Sequence, residues 1–283
     1  MDDTDYAFGR TQGEYERLIE QAELMRPLTE RMLLAAGIGR GMHVLDVGCG
    51  VGDVSFLAAG LVGPEGSVTG IDLDAEALKL AEHRRITQGI TNVEFGESDA
   101  RSVVPKRPFD AAVGRHVLQF MSDPTEALRQ IADRVLPAGI VAFQEADWRV
   151  TIAPAMNQPV LAHLQDLFAR TFERSGVRME IGTELYSRMR DAGLEPDPKP
   201  LAEIPVHIGN GEVAYRRWML FARSVLPKMV EYGIATEKDI RQIVDYELRE
   251  ELVRHHSFAP LGWLMIAQWA RKPIPGRGSE QPR

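Results

Sequence analysis

The sequence predicts an α/β fold in which strands and helices alternate around a mostly parallel sheet. Apolar segments of strand length recur between segments with helical spacing, which is the pattern of a parallel sheet with helical crossovers. The first of these strands runs directly into a glycine-rich turn, as the strands that open ligand-binding crossovers commonly do. The predicted strands lie at residues 42–47, 67–72, 91–95, 109–113 and 139–145.

The segment before the first strand, residues 1–36, is predicted to form a helical cap over the mouth of the site. Its apolar residues from Leu18 to Leu33 follow helical spacing, and Pro27 is expected to break or restart the helix. Tyr15 lies within this segment. Its ring either reaches a ligand below the cap or anchors the cap itself, and the sequence leaves both interpretations open.

The most informative motif is a run in which Asp46 closes an apolar strand ahead of Gly48, Gly50 and Gly52. Glycines adopt unusual φ and ψ angles and let a ligand approach where a Cβ would collide. A dinucleotide site also follows a first strand, but its glycines are spaced Gly-x-Gly-x-x-Gly. The carboxylate of Asp46 would repel a pyrophosphate and would suit an ammonium group. The motif therefore favours a cationic ligand over a dinucleotide or a purely structural turn.

Acidic residues recur at the ends of the next two predicted strands. Asp72 ends the second strand, where it could accept hydrogen bonds from ribose hydroxyls or cap the following helix. Asp74 can fill that cap, which would leave Asp72 for the ribose. Asp99 and the small residue Ala100 follow the third strand, where a carboxylate would accept a hydrogen bond from an adenine amino group.

Together these motifs resemble those of the class I S-adenosylmethionine-dependent methyltransferases, in particular the small-molecule enzymes similar to the ubiquinone/menaquinone-biosynthesis type. The resemblance is strong over residues 37–150 and includes residues 109–115 followed by Asp123-Pro124. It implies a Rossmann-like sheet of seven strands with the last antiparallel, helices on both faces, and S-adenosylmethionine across the carboxyl ends of the strands. The cofactor-binding residues that it implies are Tyr15, Asp46, Gly48, Gly50, Gly52, Asp72, Leu73, Asp99, Ala100 and Arg115.

The rest of the chain is predicted to complete this core and to add an insertion. A helix begins at Asp123-Pro124 and extends to Leu136, and a proline-rich connector leads to a sixth strand at residues 201–208. The predicted divisions are a core at 37–208, a helical lid at 209–260, the last core strand at 261–272 and a disordered tail at 273–283.

The lid is expected to consist of two helices, the second opened by a capping box that starts at Thr236. We expect the lid to cover the substrate and set specificity, and a dimerisation element is the alternative. Trp218 and Phe221 have spacings that suit core packing as well as contact with an aromatic substrate.

Methyl transfer depends mainly on holding the acceptor in line with the sulfonium methyl, and a base matters when the acceptor is a hydroxyl or an activated carbon. The predicted catalytic residues are His116 and Glu145, which follow or end the fourth and fifth strands. His116 could instead orient its loop. Glu145 and Asp147 could instead form ion pairs with Arg115 or Arg149.

Composition and charge also limit the partners and the location that we expect for this protein. The net charge of −8 argues against a nucleic-acid substrate. Cys49 is the only cysteine, and the acidic start and the lack of a membrane-length apolar stretch favour the cytoplasm. No metal is expected, since His255 and His256 would point in different directions on a helix. The sequence thus predicts a small-molecule methyltransferase that could form a homodimer. The alternative is a non-catalytic S-adenosylmethionine-binding regulatory or partner protein.

Overall fold

The computed structural model describes residues 12–101, 103, 107–209, 211–254 and 258–276. Its main sheet has the spatial order β3-β2-β1-β4-β5-β10, and the first five of these strands are parallel. The last strand is antiparallel to β5, as predicted. The strands are β1 His43–Val47, β2 Ser67–Asp72, β3 Val93–Glu97, β4 Phe109–Arg115, β5 Val135–Asp147 and β10 Leu264–Arg271.

Helices connect the parallel strands, and their first residues follow from the sequence. The side chain of Asp74 accepts hydrogen bonds from two backbone N–H groups of α3 (Ala75–Thr87). The side chain of Asp123 accepts one, from the Glu126 N–H in the first turn of α4 (Pro124–Asp133), which begins with Pro124. Both caps confirm the predictions. The helices are α1 Gln12–Ala36, α2 Asp53–Val62, α3 Ala75–Thr87, α4 Pro124–Asp133, α5 Pro159–Arg174 and α6 Ile181–Asp191.

Two predicted boundaries are wrong. The helix after Asp123 ends at Asp133 rather than Leu136, because Val135 already pairs with Phe109 at the start of β5. The cap helix is continuous through Pro27, which lies inside α1. Residues 1–11 of the predicted cap and residues 277–283 of the predicted tail lie outside the described part of the chain.

The predicted sixth strand at residues 201–208 is displaced and interrupted. Two short strands, β6 at Glu195–Pro196 and β7 at Leu201–Glu203, pair one after the other with the same edge of β10. Pro198 and Pro200 lack the N–H that a continuous ladder would need. Beyond them, β8 at Val206–His207 leaves the main sheet and pairs with β9 at Ala259–Pro260.

The predicted insertion contains one long helix and one segmented helix. The capping box at Thr236 is confirmed, with reciprocal hydrogen bonds between Thr236 and Asp239. Trp218 and Phe221 are buried in a cluster of aromatic rings that also includes Trp263, so their spacing reflects core packing. The helical segments are α7 Gly211–Glu231, α8 Glu237–Arg241, a π-helical stretch Gln242–Leu248, and α9 Arg249–Arg254.

The strand order explains where a ligand would bind. The chain leaves β1 for β2 on one side and later returns to β4 on the other, which opens a crevice at the carboxyl ends of the strands. This arrangement confirms the predicted Rossmann-like α/β fold. No helix within the described ranges is both long enough and apolar enough to cross a membrane.

Candidate functional site

A cavity of about 260 Å³ lies at the carboxyl ends of the parallel strands, with the first turns of α1 along one side. Nine of the predicted site residues line it, and three do not. The residues that line it are Tyr15, Gly48, Gly50, Asp72, Leu73, Asp99, Ala100, Arg115 and His116. The three that do not are Asp46, Gly52 and Glu145.

The glycine turn after β1 brings the backbone close to the cavity. Gly48 and Gly50 have φ angles of +65° and +51°, in the left-handed region that side chains disfavour. A Cβ on Gly48 would lie 2.5 Å from Cγ2 of Val117, whereas one on Gly50 would meet nothing within 4 Å. The turn therefore packs tightly at Gly48 and leaves open space beside Gly50.

Asp72 connects the end of β2 to this turn. Its Oδ2 accepts a hydrogen bond from the Gly50 N–H at 2.7 Å, and its Oδ1 accepts one from the Asp74 N–H at 2.9 Å. Burial raises the pKa of Asp72, and the backbone hydrogen bonds oppose that rise. Because each carboxylate oxygen can accept more than one hydrogen bond, Asp72 can still accept from a ligand. Tyr15 donates to the carboxylate of Asp74 at 3.1 Å.

Asp46 is buried behind the turn, where few hydrogen bonds compensate for the burial of its carboxylate. Its Oδ2 accepts a hydrogen bond from the Ser55 hydroxyl at 2.6 Å. Its Oδ1 is buried with no hydrogen-bond partner among the described residues. Burial raises the pKa of Asp46 to about 7, although Ser55 and Arg115 oppose the rise. A positive charge in the cavity would stabilise this carboxylate.

Asp99 and Leu73 line the same half of the cavity in different ways. The carboxylate of Asp99 pairs with the Arg101 guanidinium at 2.5 Å, which holds the pKa of Asp99 below its usual value. Leu73 is 45% exposed, although it follows directly on a buried strand. This half thus offers an oriented carboxylate and an uncovered apolar surface, which are the features that a planar, polar-edged ring would use.

Arg115 and His116 form the opposite wall at the end of β4. Arg115 donates from Nη1 to the Thr29 hydroxyl of α1 at 3.1 Å. His116 has a φ of +55°, and its Nδ1 is buried without a hydrogen-bond partner in the described structure. Burial lowers the pKa of His116 to about 3, and Arg115, Arg17 and Arg217 lower it further by repulsion. The imidazole is therefore neutral at physiological pH and is a weak base.

The structure corrects the expectation that Glu145 contacts the substrate. Its side chain is fully buried and lies behind the cavity wall, where Oε1 accepts hydrogen bonds from the N–H groups of Val117 and Leu118, both at 2.9 Å. Burial raises its pKa to about 8. Glu145 thus holds the turn after β4. Asp147 forms an ion pair with Arg149 at 2.7 Å, which was one of the two predicted outcomes.

Three polar residues of α1 that line the cavity were not predicted from the sequence. Glu14, Arg17 and Gln21 recur at spacings of three and four residues, and all three are buried. The same face of the helix continues through Met25 and Leu28, which are also buried. The sequence did carry a signal for these residues. Their face of the helix continues as an apolar stripe, so polar and charged residues on it are expected to be buried.

Trp148 was also missed, because the sequence gives no sign that its ring would turn toward the cavity. Its Nε1–H donates to Oε1 of Gln119 at 2.6 Å, and its ring centre lies 5.9 Å from that of His116. Trp148 also contacts Phe172 and Trp263 edge to face. It therefore joins the cavity to the aromatic core beneath the insertion.

The residues present fit the cofactor that the sequence predicts. S-adenosylmethionine carries a sulfonium and an ammonium charge, and the half of the cavity formed by β1 to β3 carries Asp72, Asp74 and Asp99 with the unpartnered oxygen of Asp46 behind it. The open space at Gly50 would admit a ligand close to the backbone. Among the described residues, no three His, Cys, Asp or Glu side chains group in a way that could hold a metal ion.

Comparisons with known proteins agree with this geometry. A family model described as a methyltransferase domain matches residues 38–193, more than half of the chain. The aklanonic acid methyltransferase DauC of Streptomyces sp. (strain C5) is 30% identical over 169 residues, which cover 56% of this chain and 76% of that protein. The ubiquinone/menaquinone biosynthesis C-methyltransferase UbiE of Coxiella burnetii is 31% identical over 169 residues, covering 55% and 67%.

A solved structure shows the same fold. The YcgJ protein of Bacillus subtilis aligns with a TM-score of 0.56 and 19% identity, over 87% of this chain and 98% of that one. At this identity the likeness concerns the fold alone.

Proposed function

Since this chain belongs to the S-adenosylmethionine-dependent methyltransferases, we propose that it transfers the methyl group to an oxygen, carbon or nitrogen atom of a hydrophobic or aromatic small molecule. The observation that carries the proposal is the division of one cavity into two unlike halves. The half formed by β1 to β3 is acidic, and the other half has His116, Gln119 and Trp148 beside an aromatic core. A cationic donor suits the first half, and a flat apolar acceptor suits the second.

On this proposal the cofactor residues divide among the parts of the donor. Asp72 accepts hydrogen bonds from the ribose hydroxyls, and Asp99 with Ala100 takes the adenine edge while Leu73 covers the ring. Support comes from the uncovered surface of Leu73 and from the acceptor capacity that Asp72 retains.

The methionine end of the donor belongs at the glycine turn. Gly48 and Gly50 bring the backbone close, and Asp46 stabilises the ammonium charge from behind the wall. Arg115 is positioned for the donor's carboxylate, and Gly52 sets the first turn of α2 with a φ of +92°. Tyr15 closes the site from α1 through its hydrogen bond to Asp74.

S-adenosylmethionine supplies an activated methyl group when bound, and the chain's own residues orient the acceptor for in-line displacement. His116, with a pKa near 3, is suited to accept a hydrogen bond and is ill suited to remove a proton from a neutral hydroxyl. An acceptor that is already ionised, or that loses its proton after transfer, would make no demand on a strong base. Positioning is therefore the main contribution that we assign to the chain.

The acceptor chemistry is supported by the two relatives. One is named for aklanonic acid and the other as a C-methyltransferase of ubiquinone/menaquinone biosynthesis. Helix α7 packs on α1, whose first turns line the cavity, whereas no described residue of the predicted lid lines it. We therefore assign specificity to the cap, with the insertion acting through its packing on α1 rather than as a dimerisation element. The cytoplasm is the location that we expect.

Turnover with labelled S-adenosylmethionine and a panel of phenols, quinols, aromatic acids and amines tests this function. We expect labelled product with at least one aromatic class. A protein that binds S-adenosylhomocysteine but forms no labelled product with any class would instead be the non-catalytic binding protein.

A further inference from the structure

The two ring nitrogens of His116 have different surroundings. Nδ1 is buried and has no hydrogen-bond partner in the described part of the chain. Nε2 is not buried in this way, and no described residue forms a hydrogen bond to it, although the side chain as a whole lines the cavity. The imidazole therefore turns Nδ1 into the protein and Nε2 toward the cavity.

The backbone of His116 and the ring beside it are held by one glutamine. His116 has a φ of +55°, in the left-handed region that few residues with a side chain adopt. Its N–H donates to the carbonyl of Gln144 at 2.9 Å, and its carbonyl accepts from Nε2 of Gln119 at 3.3 Å. Oε1 of the same Gln119 accepts from the indole N–H of Trp148 at 2.6 Å, and the indole lies 5.9 Å from the imidazole. These contacts fix the part of the wall that His116 forms.

At Nε2 a neutral imidazole can accept or donate a hydrogen bond, and the surroundings of Nδ1 decide between the two. A proton on Nδ1 would form a buried N–H without an acceptor, which proteins tolerate more rarely than an acceptor without a donor. The charged groups that lower the pKa of His116 are the guanidinium groups of Arg115, Arg17 and Arg217. Their positive charge favours a lone pair at Nδ1 over an N–H. The proton therefore belongs on Nε2.

We propose that His116 carries its proton on Nε2 and donates a hydrogen bond from there to an oxygen anion of the methyl acceptor, such as a phenolate or an enolate. This inference rests on the proposed function and makes His116 a determinant of its specificity. A hydrogen bond to an ionised oxygen is stronger than one to a neutral group, so an N–H at this position favours an anion. An amine is disfavoured, because the N–H would occupy the lone pair with which the amine attacks.

An anionic acceptor also explains how the site works without a strong base. The oxygen, or a carbon conjugated with it, supplies the electron pair of the new bond to the methyl carbon. The pair of the broken carbon–sulfur bond stays on sulfur, so the positive and negative charges cancel. Methylation at oxygen leaves no proton to remove, and methylation at carbon leaves one that water can accept after the transfer.

Long-range ¹H–¹⁵N NMR spectra of the full chain with S-adenosylhomocysteine at pH 7 test the tautomer directly, since protonated and unprotonated imidazole nitrogens have different ¹⁵N shifts. Signals that are lost in His116→Gly belong to His116, and glycine adopts a positive φ without strain. We expect an unprotonated Nδ1 and a protonated Nε2. A proton on Nδ1 alone, or on both nitrogens, overturns the proposal.

Two probes of nearly the same shape test the acceptor class. 4-Nitrophenol ionises near neutral pH, whereas 4-nitroaniline stays a neutral amine. Each is titrated by calorimetry into the full chain saturated with S-adenosylhomocysteine, at a pH at which the free phenol is mostly ionised. We expect the phenolate to bind roughly tenfold more tightly or better, which corresponds to about 1.4 kcal/mol. Its absorbance should also show a pKa for the bound phenol about one unit or more below that of the free phenol.

His116→Gly should reduce the preference to about threefold or less. His163→Ala is the control, because His163 is an exposed histidine of α5 that does not line the cavity, and it should leave the preference unchanged. A purely structural role for His116 would lower the unfolding temperature of His116→Gly without altering the ratio of the two affinities. The wild-type tautomer and the wild-type ratio test the proposal even if His116→Gly does not fold.

The proposal is also overturned if wild type binds the amine equally well or better, if neither probe binds at millimolar concentration, or if the preference survives in a folded His116→Gly. The proposed function fails separately. Failure of S-adenosylhomocysteine to bind would remove its premise, and a phenolate preference without any methyl transfer would leave the His116 contact intact and refute catalysis. Transfer to amines but to no phenol would keep the proposed function and refute the role of His116.

Discussion

Replacement of Glu145 by Gln tests whether the buried Glu145 carboxyl is structural or catalytic. Glu145 has an ordinary pKa of 4.5, and burial raises it to about 8 in the folded protein. Its Oε1 accepts two backbone hydrogen bonds, and its Oε2 has no partner among the described residues. Glutamine keeps the accepting oxygen and cannot ionise, so it reproduces the protonated form that the fold prefers.

The direction of the pH effect follows from these pKa values. Between pH 4.5 and pH 8 the folded state holds a proton on Glu145 that the unfolded state has released, so wild-type stability falls as the pH rises through this window. The difference of about 3.5 pH units corresponds to at most roughly 5 kcal/mol, of which roughly 4 kcal/mol falls between pH 5 and pH 8.5. Glu145→Gln should therefore gain stability relative to wild type by up to that amount across the interval.

Urea unfolding at pH 5 and pH 8.5 measures this gain, with Glu94→Gln as a control on the exposed side of β3. The control should follow wild type at both values. Methyl transfer by Glu145→Gln at pH 7 should stay within about twofold of wild type, because the wild-type side chain is already mostly protonated there. A stability difference that does not change with pH, or a loss of activity of roughly a hundredfold as expected for a lost base, would refute the reasoning.

Three further changes probe the site and the insertion. Gly48→Ala would place its Cβ 2.5 Å from Val117 at a φ of +65°, and it should weaken S-adenosylhomocysteine binding at least roughly tenfold by calorimetry. Gly89→Ala is the control, because Gly89 has a φ of +66° and open space around it, and it should leave the affinity for S-adenosylhomocysteine unchanged. Equal affinities of the two variants for S-adenosylhomocysteine would contradict the role of the glycine turn. Asp72→Asn should weaken the same binding by roughly tenfold, and an unchanged affinity would remove Asp72 from the ribose site. Thr236→Ala should cost about 1 kcal/mol of stability in urea and leave binding unchanged, and a loss of binding instead would mean that the insertion shapes the donor site.

The donor half of the site could be predicted from the sequence because its residues follow strand ends directly. Asp46 and Asp72 are each the last or nearly the last residue of a parallel strand, and parallel strands end at one edge of the sheet. The cap at Asp74 was predictable for a similar reason, since it depends only on residues within one turn.

The acceptor half could not be predicted, because it depends on contacts between distant segments. Gln21 and Arg217 are separated by 196 residues, and nothing local shows that they share a hydrogen bond. The role of Glu145 was misjudged for a related reason. Its place at a strand end suggested exposure to the cavity, whereas the turn at Val117 and Leu118 covers it and takes its hydrogen-bonding capacity.

A crystal structure with S-adenosylhomocysteine tests the central claim most directly, namely that one cavity holds the donor at its acidic half and the acceptor beside His116, Gln119 and Trp148. We predict ribose hydroxyls within hydrogen-bonding distance of Asp72, the adenine beside Leu73 and Asp99, and the sulfur directed toward His116. A ribose placed away from Asp72, or a sulfur directed away from His116 and Arg17, would contradict the account.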